Sequence, residues 1–346
     1  MLILGKSNEL KGFKVFIAEY FDGCEGDYGL ISEMGGEIRW GRPFSQATSF
    51  YSEAELIENC KDVDGLIIIA RDVPTKGLFD AAPKLRIISK QGIGLDKVPL
   101  ALAAEYGILV ANTATTVVET VAEHTFCLII SLYRKLPLSM VAARECRWRV
   151  PELNFRQLRY KKVGLLGFGN IARAVARRFS GWDCELRAYD PFVEKSVMET
   201  YGVEKVEFEE LLKTSDVVSM HMPLLDSTRE IMDEKAFSLM KPEAFFVNTS
   251  RGKLVNEPAL IRALKDKKIA GAGLDVLYEE PATPDNELLK FDNVYLTPHS
   301  AGTAYESMIL TAKQSALNVV DALLGKVPDF LANPQGLPKW KERFVK

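Results

Sequence analysis

The stretch Lys161-Lys162-Val163-Gly164-Leu165-Leu166-Gly167-Phe168-Gly169-Asn170-Ile171-Ala172 decides the fold. It reads as a short apolar strand, a Gly-x-Gly-x-x-Ala turn and the opening of a helix. Gly167 permits a tight turn, and Gly169 lets backbone approach a pyrophosphate at the helix N-terminus, where uncapped N–H groups favour anions. Ala172 stands where a small residue is needed for helix and strand to pack closely. Such a triplet alone is weak, because glycines punctuate many turns, but its flanks strengthen it. The next strand ends at Tyr189-Asp190, with Asp190 about 20 residues beyond the turn. A carboxylate there accepts hydrogen bonds from ribose hydroxyls and repels a 2′-phosphate, and Pro191 and Phe192 offer no basic side chain in its place. The pattern implies NAD rather than NADP.

Outward from this turn, apolar runs alternate with helix-length segments almost end to end. Upstream, strands are expected at Lys14–Ala18, Glu37–Trp40, Gly65–Ile69, Leu85–Ser89 and Ile108–Val110, with helices between them. Around and after the turn, strands are expected at Lys162–Leu166, Glu185–Tyr189, Asp216–Met220, Ala244–Asn248, Ile269–Leu274 and Asn293–Leu296. A helix is expected over Phe192–Tyr201, and a last long one over Thr303–Leu324. Such alternation makes an α/β protein with two doubly wound parallel sheets. Between the two series, Val117–Arg134 and Pro137–Cys146 read as consecutive helices, the first so apolar that it suits a subunit contact as well as a core.

The 346 residues fit about two domains. A hydrophobic share of 47% with 26% charged residues is that of an ordinary globular chain. The net charge of −3 argues against a nucleic-acid groove or an anionic membrane surface. Five scattered cysteines, none in Cys-x-x-Cys spacing, argue against a disulfide framework or a metal site and for reduced thiols in the cytoplasm. Met1–Lys6 has only three apolar residues in a row after Met, too short for a signal h-region, and no apolar run approaches a membrane span.

Ligands of an open parallel sheet bind beyond the carboxyl ends of its strands. Those ends carry Gly167, Asp190, His221-Met222-Pro223, Thr249-Ser250-Arg251, Asp275 and His299. Six small or polar stations in register read as the lining of one crevice. His299, in Thr297-Pro298-His299-Ser300-Ala301-Gly302, sits at the expected domain hinge and is the acid/base candidate. His221 reads as cofactor-side packing, and His124 as a satisfied core residue of the apolar helix. Arg251 directly after a buried strand calls for an anionic partner, and its planar fork suits a carboxylate. Glu279 and Glu280 are both candidate carboxylates, and spacing does not choose between them.

These blocks together resemble the D-isomer-specific 2-hydroxyacid dehydrogenase family, from about residue 60 to 325. The Gly92-Ile93-Gly94-Leu95-Asp96 loop belongs to the same pattern. The resemblance implies hydride transfer between NAD(H) and a small 2-keto or 2-hydroxy acid, with a D-specific outcome. It places the family's glutamate before a proline, hence at Glu280, and implies that Glu280 orients His299 while Arg251 holds the substrate. It further implies that Gly92, Ile93 and Gly94 present N–H groups to the substrate carboxylate, with Lys90 beside them. On the cofactor side it implies Asn170 and Ile171 at the pyrophosphate, Thr249 and Asp275 near the nicotinamide, and His299 to Gly302 as the far wall. The implied architecture is a Rossmann cofactor domain, 112–299, inserted into a flavodoxin-like substrate domain, 1–111 with 300–346, and a homodimer through the cofactor domain. The position that carries a basic residue in phosphoglycerate enzymes falls on Ile68 or Ile69, which tilts away from phosphorylated substrates, although Lys90 and Arg71 are near. Co-repressor-type regulators resemble the same family, so a non-catalytic NAD sensor is the alternative.

Overall fold

The computed structural model describes residues 8–46, 51–69 and 72–345, so Met1–Lys6 and Arg71 lie outside the described residues. The chain divides into two compact units, Met1–Val117 with Thr303–Lys346, and Val118–Gly302. The sequence reading put these divisions at 111/112 and 299/300; the packing puts them at 117/118 and 302/303.

The first unit runs β1 (Lys14–Tyr20), α1 (Leu30–Glu33), β2 (Glu37–Pro43), α2 (Glu53–Cys60), β3 (Gly65–Ile68), α3 (Lys76–Ala81), β4 (Ile87–Lys90), α4 (Leu100–Glu105) and β5 (Leu109–Asn112). All five strands are parallel in the order β2-β1-β3-β4-β5, the flavodoxin order. Ser52 and Glu55 start α2 with a reciprocal capping box, which satisfies two backbone donors that helix geometry leaves open.

The second unit opens with α5 (Val118–Arg134) and α6 (Leu136–Arg144), bent 59° apart at Lys135, whose φ is +45°. It continues through β6 (Lys162–Leu166), α7 (Asn170–Arg178), β7 (Glu185–Tyr189), α8 (Lys195–Glu199), β8 (Val203–Lys205), α9 (Phe208–Thr214), β9 (Val217–Met220), α10 (Glu234–Leu239), β10 (Phe245–Asn248), α11 (Glu257–Lys265), β11 (Gly271–Leu274) and β12 (Val294–Leu296). Its seven strands lie in the order β12-β11-β10-β9-β6-β7-β8. Read from β8, this is the doubly wound Rossmann order extended by one strand. The order reverses at β6, so the Gly167–Gly169 turn stands at the switch point. Buried Leu166, Val218, Met220, Phe246 and Leu274 join helices α10 and α11 in one core on this sheet.

The strand β8 corrects the sequence reading, which carried a helix over Phe192–Tyr201 and passed over Val203–Lys205. A three-residue edge strand with a single buried side chain, Val203, has no alternation to read.

The chain then returns to the first unit with α12 (Tyr305–Leu323) and α13 (Leu337–Phe344). Val319 of α12 lies so near Gly65 that a β-carbon there would stand 2.8 Å from it, so the glycine sets the helix-to-sheet distance. The open edge of β5 is covered by residues 330–333. Ala332 N donates to Val110 O, while buried Asn333 accepts from Val110 N and donates to Ile108 O. Covering an edge in this way removes a template for unwanted strand pairing. Among the described residues no single helix is long and apolar enough to cross a membrane.

Candidate active site

The phosphate turn is shaped by exclusion on one side and openness on the other. Gly167 has φ +89°, and a β-carbon there would meet the His221–Met222 backbone at 2.9–3.0 Å. Gly169 is the N-cap of α7, has no side-chain cap, and faces open space where a β-carbon would be. The first-turn N–H groups of Asn170 and Ile171 are thus presented at an uncapped helix end, which suits a pyrophosphate. Ala172 is fully buried against the sheet.

Asp190 is tied into this turn. One carboxylate oxygen accepts Phe168 N at 2.8 Å and the other accepts Phe192 N at 2.9 Å. The carboxylate is therefore fixed in place before any ribose arrives, and its remaining lone pairs can accept hydroxyl hydrogens. Beside the turn, His221 N donates to Leu166 O, and the His221 ring lies 2.9 Å from Ser219 Oγ. Burial of that ring pushes its pKa down to about 3, so it is neutral at physiological pH although the residue as a whole is partly exposed. Buried Met222 accepts Ser250 Oγ through its carbonyl, and Pro223 is exposed at the rim.

Arg251 follows β10 in a turn stiffened by Asn248, which accepts Ser250 N at 3.0 Å and donates to Arg251 O at 2.9 Å. The guanidinium Nη1 donates to Ser250 O at 2.7 Å. Thr249 is buried, with its hydroxyl 2.8 Å from that of Thr125. Gly252 allows the Leu277–Tyr278 backbone to cross directly over this turn, since a β-carbon there would stand 1.7 Å from Leu277 O. That crossing carries the Glu280 segment to the Arg251 turn.

Glu280 accepts Leu277 N at 3.0 Å through Oε1, and its Oε2 lies 2.7 Å from His299 Nδ1. Glu279 instead points outward, 3.8 Å from Lys253 Nζ. Burial alone would raise the Glu280 carboxyl, but the His299 hydrogen bond and charge, the Leu277 N–H and Arg251 together hold it below the ordinary glutamate value. A carboxylate only accepts, so Nδ1 of His299 carries a hydrogen and Nε2 is the atom left to exchange a proton. His299 itself stands in the left-handed region at φ +52°. Asp275, expected near the nicotinamide, is buried and turns both carboxylate oxygens into the 297–301 loop. Gly302 closes that loop at the unit's end.

In the first unit, Lys90 ends β4 and is buried. Gly92 has φ +95°, and its N–H donates to Thr113 Oγ1 at 2.7 Å. The N–H expected to face a substrate is thus paired with the Thr113 hydroxyl in this structure. Ile93 O accepts Asn112 Nδ2, and the N–H groups of Ile93 and Gly94 donate to no partner among the described residues.

Sequence reasoning missed Gly252 and Thr297. Gly252 was visible only as the residue after an arginine, and nothing local marks a backbone crossing made by a segment far along the chain.

Residues 126–301 match the family model described as D-isomer specific 2-hydroxyacid dehydrogenase, NAD binding domain. A glyoxylate reductase of Korarchaeum cryptofilum is 38% identical over 82% of this chain and 87% of its own length. A D-3-phosphoglycerate dehydrogenase of Methanocaldococcus jannaschii is 34% identical over 84% of this chain but only 55% of its own length. The crystal structure of D-lactate dehydrogenase from Aquifex aeolicus, complexed with NAD and lactic acid, superimposes with a TM-score of 0.78 at 27% identity, covering 90% of this chain and 96% of that one.

Proposed function

The chain belongs to the D-isomer specific 2-hydroxyacid dehydrogenase family, and we propose that it reduces glyoxylate or a similarly small, unphosphorylated 2-keto acid through His299, Glu280 and Arg251. It is an NAD-dependent oxidoreductase. The single observation that carries the residue assignment is the His299–Glu280 contact of 2.7 Å beside Arg251. NADH, when bound, supplies the hydride that reaches substrate C2, and NAD accepts it in the reverse direction. His299 delivers its Nε2 proton to the keto oxygen as the hydroxyl forms. Arg251 holds the substrate carboxylate with its planar fork and offsets charge growing on the oxygen. Glu280 fixes the tautomer and direction of the ring. Asn170, Ile171 and Asp190 hold the dinucleotide, while Lys90, Ile93 and Gly94 are the proposed substrate contacts of the first unit.

Small size is supported by the glyoxylate reductase relative, whose length this chain nearly spans, and by the apolar Ile68 at the end of β3. The named relatives are dehydrogenases and reductases, which favours turnover over an NAD-sensing role. Five free cysteines suit a reducing, cytoplasmic setting.

An NADH-oxidation screen over glyoxylate, hydroxypyruvate, pyruvate, phenylpyruvate and 3-phosphohydroxypyruvate tests the reading. Glyoxylate is expected to have the highest kcat/KM, NADPH is expected to replace NADH poorly, and His299→Asn is expected to lose about a hundredfold or more in kcat. Preference for the phosphorylated substrate would overturn the substrate class, and a near-normal His299→Asn rate would overturn the acid/base assignment.

A further inference from the structure

The loop that carries His299 is held from behind. Buried Asp275 accepts Ser300 N at 2.9 Å through Oδ1 and Ala301 N at 2.9 Å through Oδ2. It also accepts the Thr297 hydroxyl at 2.5 Å, and its own carbonyl accepts His299 N at 2.9 Å. Residues on both sides of the histidine are thereby anchored to one carboxylate, which keeps a non-glycine residue in the left-handed region.

The direction of the hydrogens continues the chain one step further. Thr297 has a single hydroxyl hydrogen, and a carboxylate cannot donate, so that hydrogen points to Asp275. His124 Nε2 lies 2.9 Å from the same Thr297 oxygen, which can then only accept from it. His124 must therefore carry a hydrogen on Nε2.

We propose that His124 of α5 is a positioning residue for the reaction, acting through an ordered chain from His124 Nε2–H to Thr297 to Asp275 that sets the His299 loop. The proposal rests on His299 being the acid/base, and it turns a residue that reads as plain core into part of the site's support. Loss of one link removes a hydrogen bond and slackens the loop without touching the pyrophosphate turn.

The chain has three histidines, so a ¹⁵N-imidazole NMR spectrum holds three ring systems, each assignable with a single His variant. His124 is expected to be protonated at Nε2, and Thr297→Val, which removes the acceptor, is expected to shift that signal. A bare Nε2 on His124 would overturn the proposal, and this readout needs no turnover, so it stands apart from any failure of the proposed activity. In kinetics, His124→Met and Thr297→Val are each expected to lower kcat about tenfold, the worth of one hydrogen bond, with NADH affinity within about twofold. His124→Gln, which keeps a donor, is expected to recover most of the loss. The double variant His124→Met/Thr297→Val is expected to be no slower than the slower single one, because both break one chain. Multiplied losses, or equal losses in the Gln and Met variants, would assign His124 to packing alone.

Discussion

At the scale of single residues, the same side-chain type serves different ends through its surroundings. His299 is half-exposed and paired with a carboxylate, whereas the ring of His221 is desolvated and lies beside a serine hydroxyl. Burial lowers the folded-state pKa of His221 from 6.5 to about 3. Below pH 6.5 the unfolded chain therefore takes up a proton that the folded chain refuses, and stability falls as pH falls through that window. His221→Asn lacks this group, so the wild type is expected to lose about 1.4 kcal/mol more than the variant per pH unit between pH 6 and 4. Urea unfolding at stepped pH measures the difference, and parallel slopes for both proteins would refute it. Asp190 and Arg251 were legible at this scale because each follows an apolar strand. Asp190's grip on Phe168 N was not, because that bond joins two strand ends.

At the scale of elements, close crossings position the site. The Arg251 turn and the segment leading to Glu280 come together because Gly252 has no side chain. Gly252→Ala would put a β-carbon 1.7 Å from Leu277 O, a backbone atom that cannot rotate away. The variant is expected to lose about 1–3 kcal/mol of stability and far more activity than that loss of folded protein explains, since Arg251 and Glu280 would move apart. Urea unfolding together with kcat/KM checks both parts; a fully active Gly252→Ala would show that the crossing does not matter. Most strands and helices were readable within a residue or two, because their apolar periodicity is local. The edge strand β8, residues 330–333 and α13 were not, since each depends on a neighbour distant in sequence.

At the scale of the whole molecule, α6 leaves an apolar face uncovered in the second unit. Leu136, Met140 and Val141 are 46%, 48% and 45% exposed, and Trp148 beyond them is 84% exposed. A soluble chain rarely leaves so much apolar surface in one place without a partner. A homodimer through this unit, which the family resemblance implies and which was expected on the preceding helix α5, would cover this face and give a particle of twice the 38.6 kDa chain mass. Sedimentation is expected to show the dimer, and Met140→Glu with Val141→Glu is expected to shift it to the monomer. A wild-type monomer at micromolar concentration would refute the interface.

The sequence by itself determined the fold class, the NAD turn with its carboxylate, and the strand ends at which His299 and Arg251 stand. Each of these is written in local spacing: apolar periodicity, glycine placement and the distance to the next strand end. The tertiary structure alone decided what those residues touch. It took the Gly92 N–H for Thr113, joined His124 to the His299 loop through Thr297 and Asp275, and brought Glu280, which the family resemblance had already singled out, to 2.7 Å from His299. Those contacts depend on how strands stack and on which loop crosses which, and a side chain's hydrogen bonds follow from its neighbours in space rather than from its neighbours in the chain.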